Sequence, residues 1–96
     1  VGDLDAAAAH WLTLCAVDAL LVHRRWYPAT ADAYDPAFRA LLEHGTRLGA
    51  EDYARAQCAR QAVATRLDRV LDEVDAILTP TMPLPATSPD LLRYTA

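Results

Sequence analysis

The sequence contains no lysine, and Ser88 is its only serine. Acyl transfer to water needs a nucleophile, a base within hydrogen-bonding reach of it and donors for the oxyanion. Ser88 lies in a proline-rich turn with no base nearby in the sequence, so a role in the turn or as a helix cap is favoured over that of a nucleophile. We therefore predict that this chain carries no catalytic residue for such chemistry.

Glycine, cysteine and histidine are also few and scattered. The three glycines lie far apart, which excludes a glycine-rich phosphate loop. The cysteines and histidines show no metal-ligand spacing, so neither a metal nor another cofactor is expected. A Cys–His catalytic pair is a minor alternative to inert thiols and surface histidines. Two distant cysteines in a chain rich in Ala and Leu indicate reduced, buried thiols and a cytoplasmic location. These residues are Cys15, Cys58, His10, His23 and His44.

The charge balance is acidic, because 13 acidic residues face nine arginines and give a formal net charge of −4. Nucleic acid and anionic membrane surfaces are therefore not expected as partners. The longest apolar region, Leu12 to Val22, is interrupted by Asp18 and is too short to span a bilayer. No charged start followed by an apolar core and a cleavage site is visible. Since the chain starts at Val1 and its only methionine is Met82, we expect a piece or a processed product.

Three helices are predicted. The first begins at Asp3 or Asp5, which can cap it, and runs to about Arg25. The second begins at Asp35-Pro36, a cap followed by a proline at the first helical position, and ends at Gly45 as a left-handed stop. The third runs from about Ala50 to Val74. Its stripe, at steps of three and four, consists of Tyr53, Ala56, Arg60, Val63, Leu67, Val70 and Val74.

The first helix is apolar around most of its circumference. Such a helix needs cover on two sides, and the remaining chain does not obviously supply that much. We therefore expect the isolated chain to aggregate, to dimerise or to bind a hydrophobic dye. The large apolar residues are Trp11, Leu12, Leu14, Cys15, Val17, Leu20, Leu21 and Val22.

The segment from Asp75 to Ala86 reads DAILTPTMPLPA. Its short apolar run, residues 76–78, is predicted to be a buried strand because β-branched residues and prolines bound it. Prolines at 80, 83 and 85 hold the residues before them extended, so the chain leaves the strand along a stiff path.

A long helix with an acidic end, an Asp, a short apolar strand and a Thr-Pro-Thr exit with spaced prolines together resemble the later part of the amidase signature family. The resemblance extends back through Tyr53 in EDYARA, followed by Arg60 and Leu67, and through residues 35–45 to about Asp18. It also extends forward to the Leu92–Ala96 segment. No single motif is diagnostic; the order and the spacing carry the likeness. The serine and lysine motifs of the family do not occur in this chain.

The resemblance implies that residues 1–96 are a single incomplete segment of an α/β amidase domain. The segment itself would be mostly α, with three helices, one short buried strand and a proline-rich exit. The parent would hydrolyse the C–N bond of a small-molecule carboxamide through an acyl-serine intermediate, with the catalytic groups upstream. By the same resemblance, Thr79, Thr81 and Met82 would line the substrate pocket, although a rigid surface turn explains these residues equally well.

A different class of function remains open. The chain could be a small helical interaction module, or a relic of such an enzyme, that binds a partner or itself through its uncovered apolar helix faces. The discriminating observation is the reading frame upstream of Val1, where the hydrolase interpretation predicts a lysine followed by a glycine- and serine-rich segment.

Overall fold

The computed structural model describes residues 4–81. This part of the chain forms three α-helices, α1 (Leu4–His23), α2 (Pro36–Arg47) and α3 (Ala50–Leu71), with one 3-10 turn at Ala31–Ala33. No strand is present within residues 4–81. The prediction of a mostly helical chain with three helices is confirmed.

Helix α1 is the central element, because α2 and α3 each pack on it and barely touch one another. The α1–α2 pair is antiparallel: the ring of His23, at the end of α1, lies 5.1 Å from that of Phe38 near the start of α2. Further along α2, Gly45 lies against Ala16, two turns earlier in α1. Helix α3 is joined to α1 where the Tyr53 hydroxyl reaches Asp18.

The core is small. The apolar side chains that the structure buries within its described part are Leu14 and Ala16 of α1, Leu42 of α2 and Ala56 of α3. Leu42 is the only large one with no exposure at all. Because a chain of this size buries little of its surface, each of these contacts supplies a large share of the stability.

Helix α2 begins where the sequence predicts. The Asp35 carboxylate oxygen Oδ1 accepts from the backbone N–H of Ala37 at 2.9 Å and from that of Phe38 at 3.4 Å. Pro36 occupies the first helical position, where the missing N–H would have had no partner within the helix. The cap therefore fixes the start of α2 through local chemistry alone.

We expect Asp35→Ala to lower the free energy of unfolding by about 1 kcal/mol, because two N–H groups at the start of α2 lose their acceptor. Urea denaturation followed by circular dichroism measures the loss. Asp35→Ser is the matched control, since a serine oxygen can accept the same bonds and should retain most of the stability. Equal losses in the two variants would show that the cap does not stabilise α2.

The predicted end of α2 is wrong. Gly45 does not stop the helix; it is buried inside α2, which continues to Arg47. A Cβ built on Gly45 would lie 2.6 Å from the carbonyl oxygen of Ala16 and 3.3 Å from the Cβ of Leu20. Glycine is therefore needed here for the close approach of two helices, rather than for a left-handed backbone.

Helix α3 begins as predicted, and its stripe faces the core in the main. Ala56 is buried, and Tyr53, Val63, Leu67 and Val70 are half-buried. Arg60 is exposed, and so is Val74, because the helix ends at Leu71, three residues before the predicted end. The amphipathic pattern thus identified the helix but not its last turn.

The predicted buried strand is also wrong. Residues 76–78 form no strand, and Ile77 and Leu78 are exposed, Leu78 completely. A strand needs a neighbour to satisfy its backbone hydrogen bonds, and residues 4–81 provide none. The whole segment from Leu71 to Thr81 is exposed.

Candidate functional site

The residues predicted to line a pocket lie in the segment after α3. Thr79 and Thr81 are both exposed there, and Met82 lies outside the described residues. The structure brings no helix over the two threonines, since every residue from 71 to 81 is open to solvent. Their role as a pocket wall therefore stays a prediction.

The thiols and imidazoles are dispersed. Cys15 is half-buried and Cys58 is exposed, and both are free thiols, so the prediction of buried thiols is wrong for Cys58. Within the described part of the chain, no group of three or more His, Cys, Asp or Glu side chains is placed to hold a metal ion. His23 is engaged by aromatic neighbours instead.

An aromatic cluster, consisting of His23, Trp26, Tyr27, Tyr34 and Phe38, closes the connection between α1 and α2. His23 Nδ1 and the Tyr34 hydroxyl lie 3.0 Å apart at hydrogen-bonding distance. The His23 ring meets those of Tyr34 and Phe38 edge-on, with centroids 5.4 and 5.1 Å apart. Such pairs stabilise beyond their buried area, so the cluster fixes the angle at which the chain turns from α1 into α2.

A polar bridge joins α1 to α3. The Tyr53 hydroxyl donates to Asp18 Oδ1 at 3.2 Å and accepts from Gln57 Nε2 at 2.7 Å. The sequence pattern placed Tyr53 on the apolar stripe of α3 and treated Asp18 only as an interruption of the apolar run. Nothing in the sequence signals the bond, because the two residues are 35 positions apart.

The surface of α1 carries the least covered apolar side chains of the three helices. Trp11, Leu21 and Val22 are 67%, 61% and 64% exposed. On the flank of α1, a shallow groove of about 300 Å³ is lined by Val17, Leu20, Leu21 and Arg24. Apolar patches on this scale mark surfaces that contact another polypeptide or a ligand. The expectation that α2 and α3 leave α1 partly uncovered is confirmed.

The bilayer is excluded as the explanation for this surface only in one respect. Among residues 4–81, none of the helices combines the length and the apolar composition that a membrane crossing requires.

The proteins that this chain is similar to are amidases by name. It is 33% identical over 78 residues to the protein named "Putative amidase AmiD" of Mycobacterium tuberculosis, in two strains, and of Mycobacterium bovis. The matched region is 81% of this chain and 16% of each of those proteins. The chain thus spans about a sixth of the length of the curated relatives it matches.

Neither of the other two comparisons adds a relationship. No family model matches the sequence. No solved structure is similar to it at a significant level.

Proposed function

We propose that this chain is a helical segment of an amidase-type hydrolase of the amidase signature family, which cleaves the C–N bond of a carboxamide through an acyl-serine intermediate. The observation that carries the proposal is the 33% identity over 78 residues to proteins named as amidases. In this view residues 1–96 are one incomplete segment of an α/β domain. The catalytic serine and lysine are supplied by polypeptide outside the segment.

The chemistry of the chain supports this division of labour. With no lysine, one serine in a turn, and histidines and thiols that are dispersed, the chain cannot itself form a nucleophile–base pair. It does offer helices with apolar sides that need cover. Trp11, Leu21 and Val22 of α1 would be buried by a larger body, each contributing about 1.5–3 kcal/mol if fully covered.

The substrate is proposed to be a small-molecule amide, held partly by Thr79, Thr81 and Met82. Thr79 and Thr81 are exposed and stand on either side of Pro80, which restricts the backbone between them. Hydroxyl groups at these positions can bond the amide or carbonyl group of a substrate. The reaction needs no cofactor, and the proposed setting is the cytoplasm.

A chimera tests the pocket residues. The matched 78-residue segment of AmiD is replaced by the corresponding segment of this chain, and amide hydrolysis is measured in the full-length protein. Thr79→Val and Thr81→Val should each reduce kcat/KM by roughly 2- to 12-fold, because each removes one hydrogen bond of about 0.5–1.5 kcal/mol. Thr65→Val, at an exposed site on α3, is the matched control and should leave kcat/KM unchanged. Unaltered activity in both pocket variants would remove Thr79 and Thr81 from the pocket.

The isolated 96-residue chain is expected to show no amide hydrolysis. The reason is chemical: no base is available to activate Ser88. Release of product from a chromogenic anilide, at high protein concentration, is the measurement. Turnover that disappears in Ser88→Ala would contradict the proposal that catalysis depends on polypeptide outside this segment.

A helical interaction module is the second candidate function, and the exposed Trp11, Leu21 and Val22 of α1 favour it. The upstream reading frame discriminates between the two. A lysine followed by a glycine- and serine-rich segment supports the hydrolase; a gene that begins close to Val1 supports the module.

A further inference from the structure

The outer face of α1 carries an arrangement of charges and apolar groups that fits itself. Leu21 and Val22 are adjacent and about two-thirds exposed. Asp18 lies one turn before them and Arg25 follows in the turn that continues from α1; both are exposed. Residues 18, 21, 22 and 25 are spaced by three, four and seven, so they share one side of the helix.

We propose that this face is the interface of a homodimer, in which two copies of α1 pack antiparallel about a two-fold axis between Leu21 and Val22. In that register Leu21 of one copy meets Val22 of the other, and Asp18 of one copy meets Arg25 of the other. Two-fold symmetry forms each contact twice. The inference goes beyond the proposed function, because it concerns the 96-residue chain itself.

Charge complementarity selects this register. An axis through Asp18 would bring the two Asp18 carboxylates together, and like charges in contact are unfavourable. The axis between residues 21 and 22 instead converts the same side chains into two opposite-charge pairs. It also brings Trp26, 43% exposed, level with Val17 of the other copy at the edge of the apolar groove.

Existing contacts leave the two charges able to pair. Asp18 accepts from the Tyr53 hydroxyl through Oδ1. A carboxylate has about four acceptor sites, so Oδ2 and the remaining sites of Oδ1 can receive a guanidinium. The Arg25 guanidinium lies over the Trp26 ring, 3.9 Å from its centroid, which uses the face of the guanidinium and leaves its N–H edge to donate.

The interface is small. Four large exposed apolar side chains, Trp11, Leu21, Val22 and Trp26, supply less area than the roughly 800 Å² per partner of a standard stable complex. The dimer should therefore be weak, with a dissociation constant on the order of 10–100 µM.

Sedimentation equilibrium of the 96-residue chain tests the proposal. Dimer should predominate at about 200 µM and monomer at about 1 µM. Val22→Glu should weaken the dimer at least tenfold. Asp18→Arg and Arg25→Asp should each weaken it about three- to tenfold, and the double variant, in which both charges are exchanged, should return it to within about twofold of the original chain.

Two controls separate pairing from other effects. Arg60→Asp, exposed on α3, changes the net charge as Arg25→Asp does and should leave the dimer unchanged. Tyr53→Phe removes the hydroxyl that bonds Asp18 and should also leave it unchanged, and circular dichroism checks that each variant is helical. A chain that stays monomeric at about 200 µM, as it would if residues 82–96 or further polypeptide covered this face, overturns the proposal. Larger oligomers, or a double variant as weak as the single ones, overturn it too.

Discussion

Leu42→Ala is expected to lower the free energy of unfolding by about 2–5 kcal/mol, enough to unfold much of a chain this small. Leu42 is the one large side chain with no exposure in the described part of the structure, and it lies on the α2 face that packs on α1. Removing three carbon atoms there loses the burial energy and leaves a cavity that the small core cannot readily fill.

Urea denaturation followed at the helical circular dichroism signal measures this loss. Leu78→Ala is the matched control, because Leu78 is fully exposed and the same truncation should change stability by less than about 0.5 kcal/mol. A Leu42→Ala variant as stable as the Leu78→Ala variant would mean that α2 does not bury Leu42 against α1 in solution.

Gly45→Ala is the second large effect, and its sign is informative. In an open helix the exchange would stabilise by about 1 kcal/mol, because alanine has the higher helix propensity. Here the new Cβ would lie 2.6 Å from a backbone oxygen of α1, so the helices must separate. Overpacking of this kind costs about 1–3 kcal/mol, and we expect net destabilisation.

Ala40→Gly supplies the control for this prediction. Ala40 is exposed on the same helix, so the reverse exchange there reports helix propensity alone and should cost about 1 kcal/mol. If both variants simply follow propensity, with Gly45→Ala more stable than the original chain, the close approach of α2 to Ala16 does not occur.

Local signals in the sequence predicted the starts of the helices well. Asp35 and Pro36 act within three residues of each other, so the start of α2 needs no tertiary information. The ends were less accurate: α1 stops at His23 rather than Arg25, and α3 at Leu71 rather than Val74. No glycine marks either end, and helices without such a stop commonly end within a turn of the pattern.

The errors arose where a residue type serves two purposes. Glycine after His44 suits a left-handed stop, but lack of a Cβ also lets two helices approach, and only the position of Ala16 decides between them. The run at residues 76–78 has strand composition, yet a strand forms only with a partner, and the described chain provides none.

The interactions that span helices could not be predicted. Tyr53 reads as part of an apolar stripe until its hydroxyl is seen on Asp18, and His23 reads as a helix-end cation until Tyr34 and Phe38 are seen around it. The proposed pocket residues are a separate case: Thr79 and Thr81 are exposed, so only the larger hydrolase can test them.

The activity of the AmiD chimera is the most direct test of the proposal that these helices belong to an amidase. If the segment of this chain packs as its counterpart does, the folded chimera should hydrolyse an amide with a kcat/KM within about two orders of magnitude of AmiD, since small misplacements of a pocket cost roughly 100-fold. A folded chimera with no amide hydrolysis, and no more stable than one carrying a shuffled segment of the same composition, would contradict it.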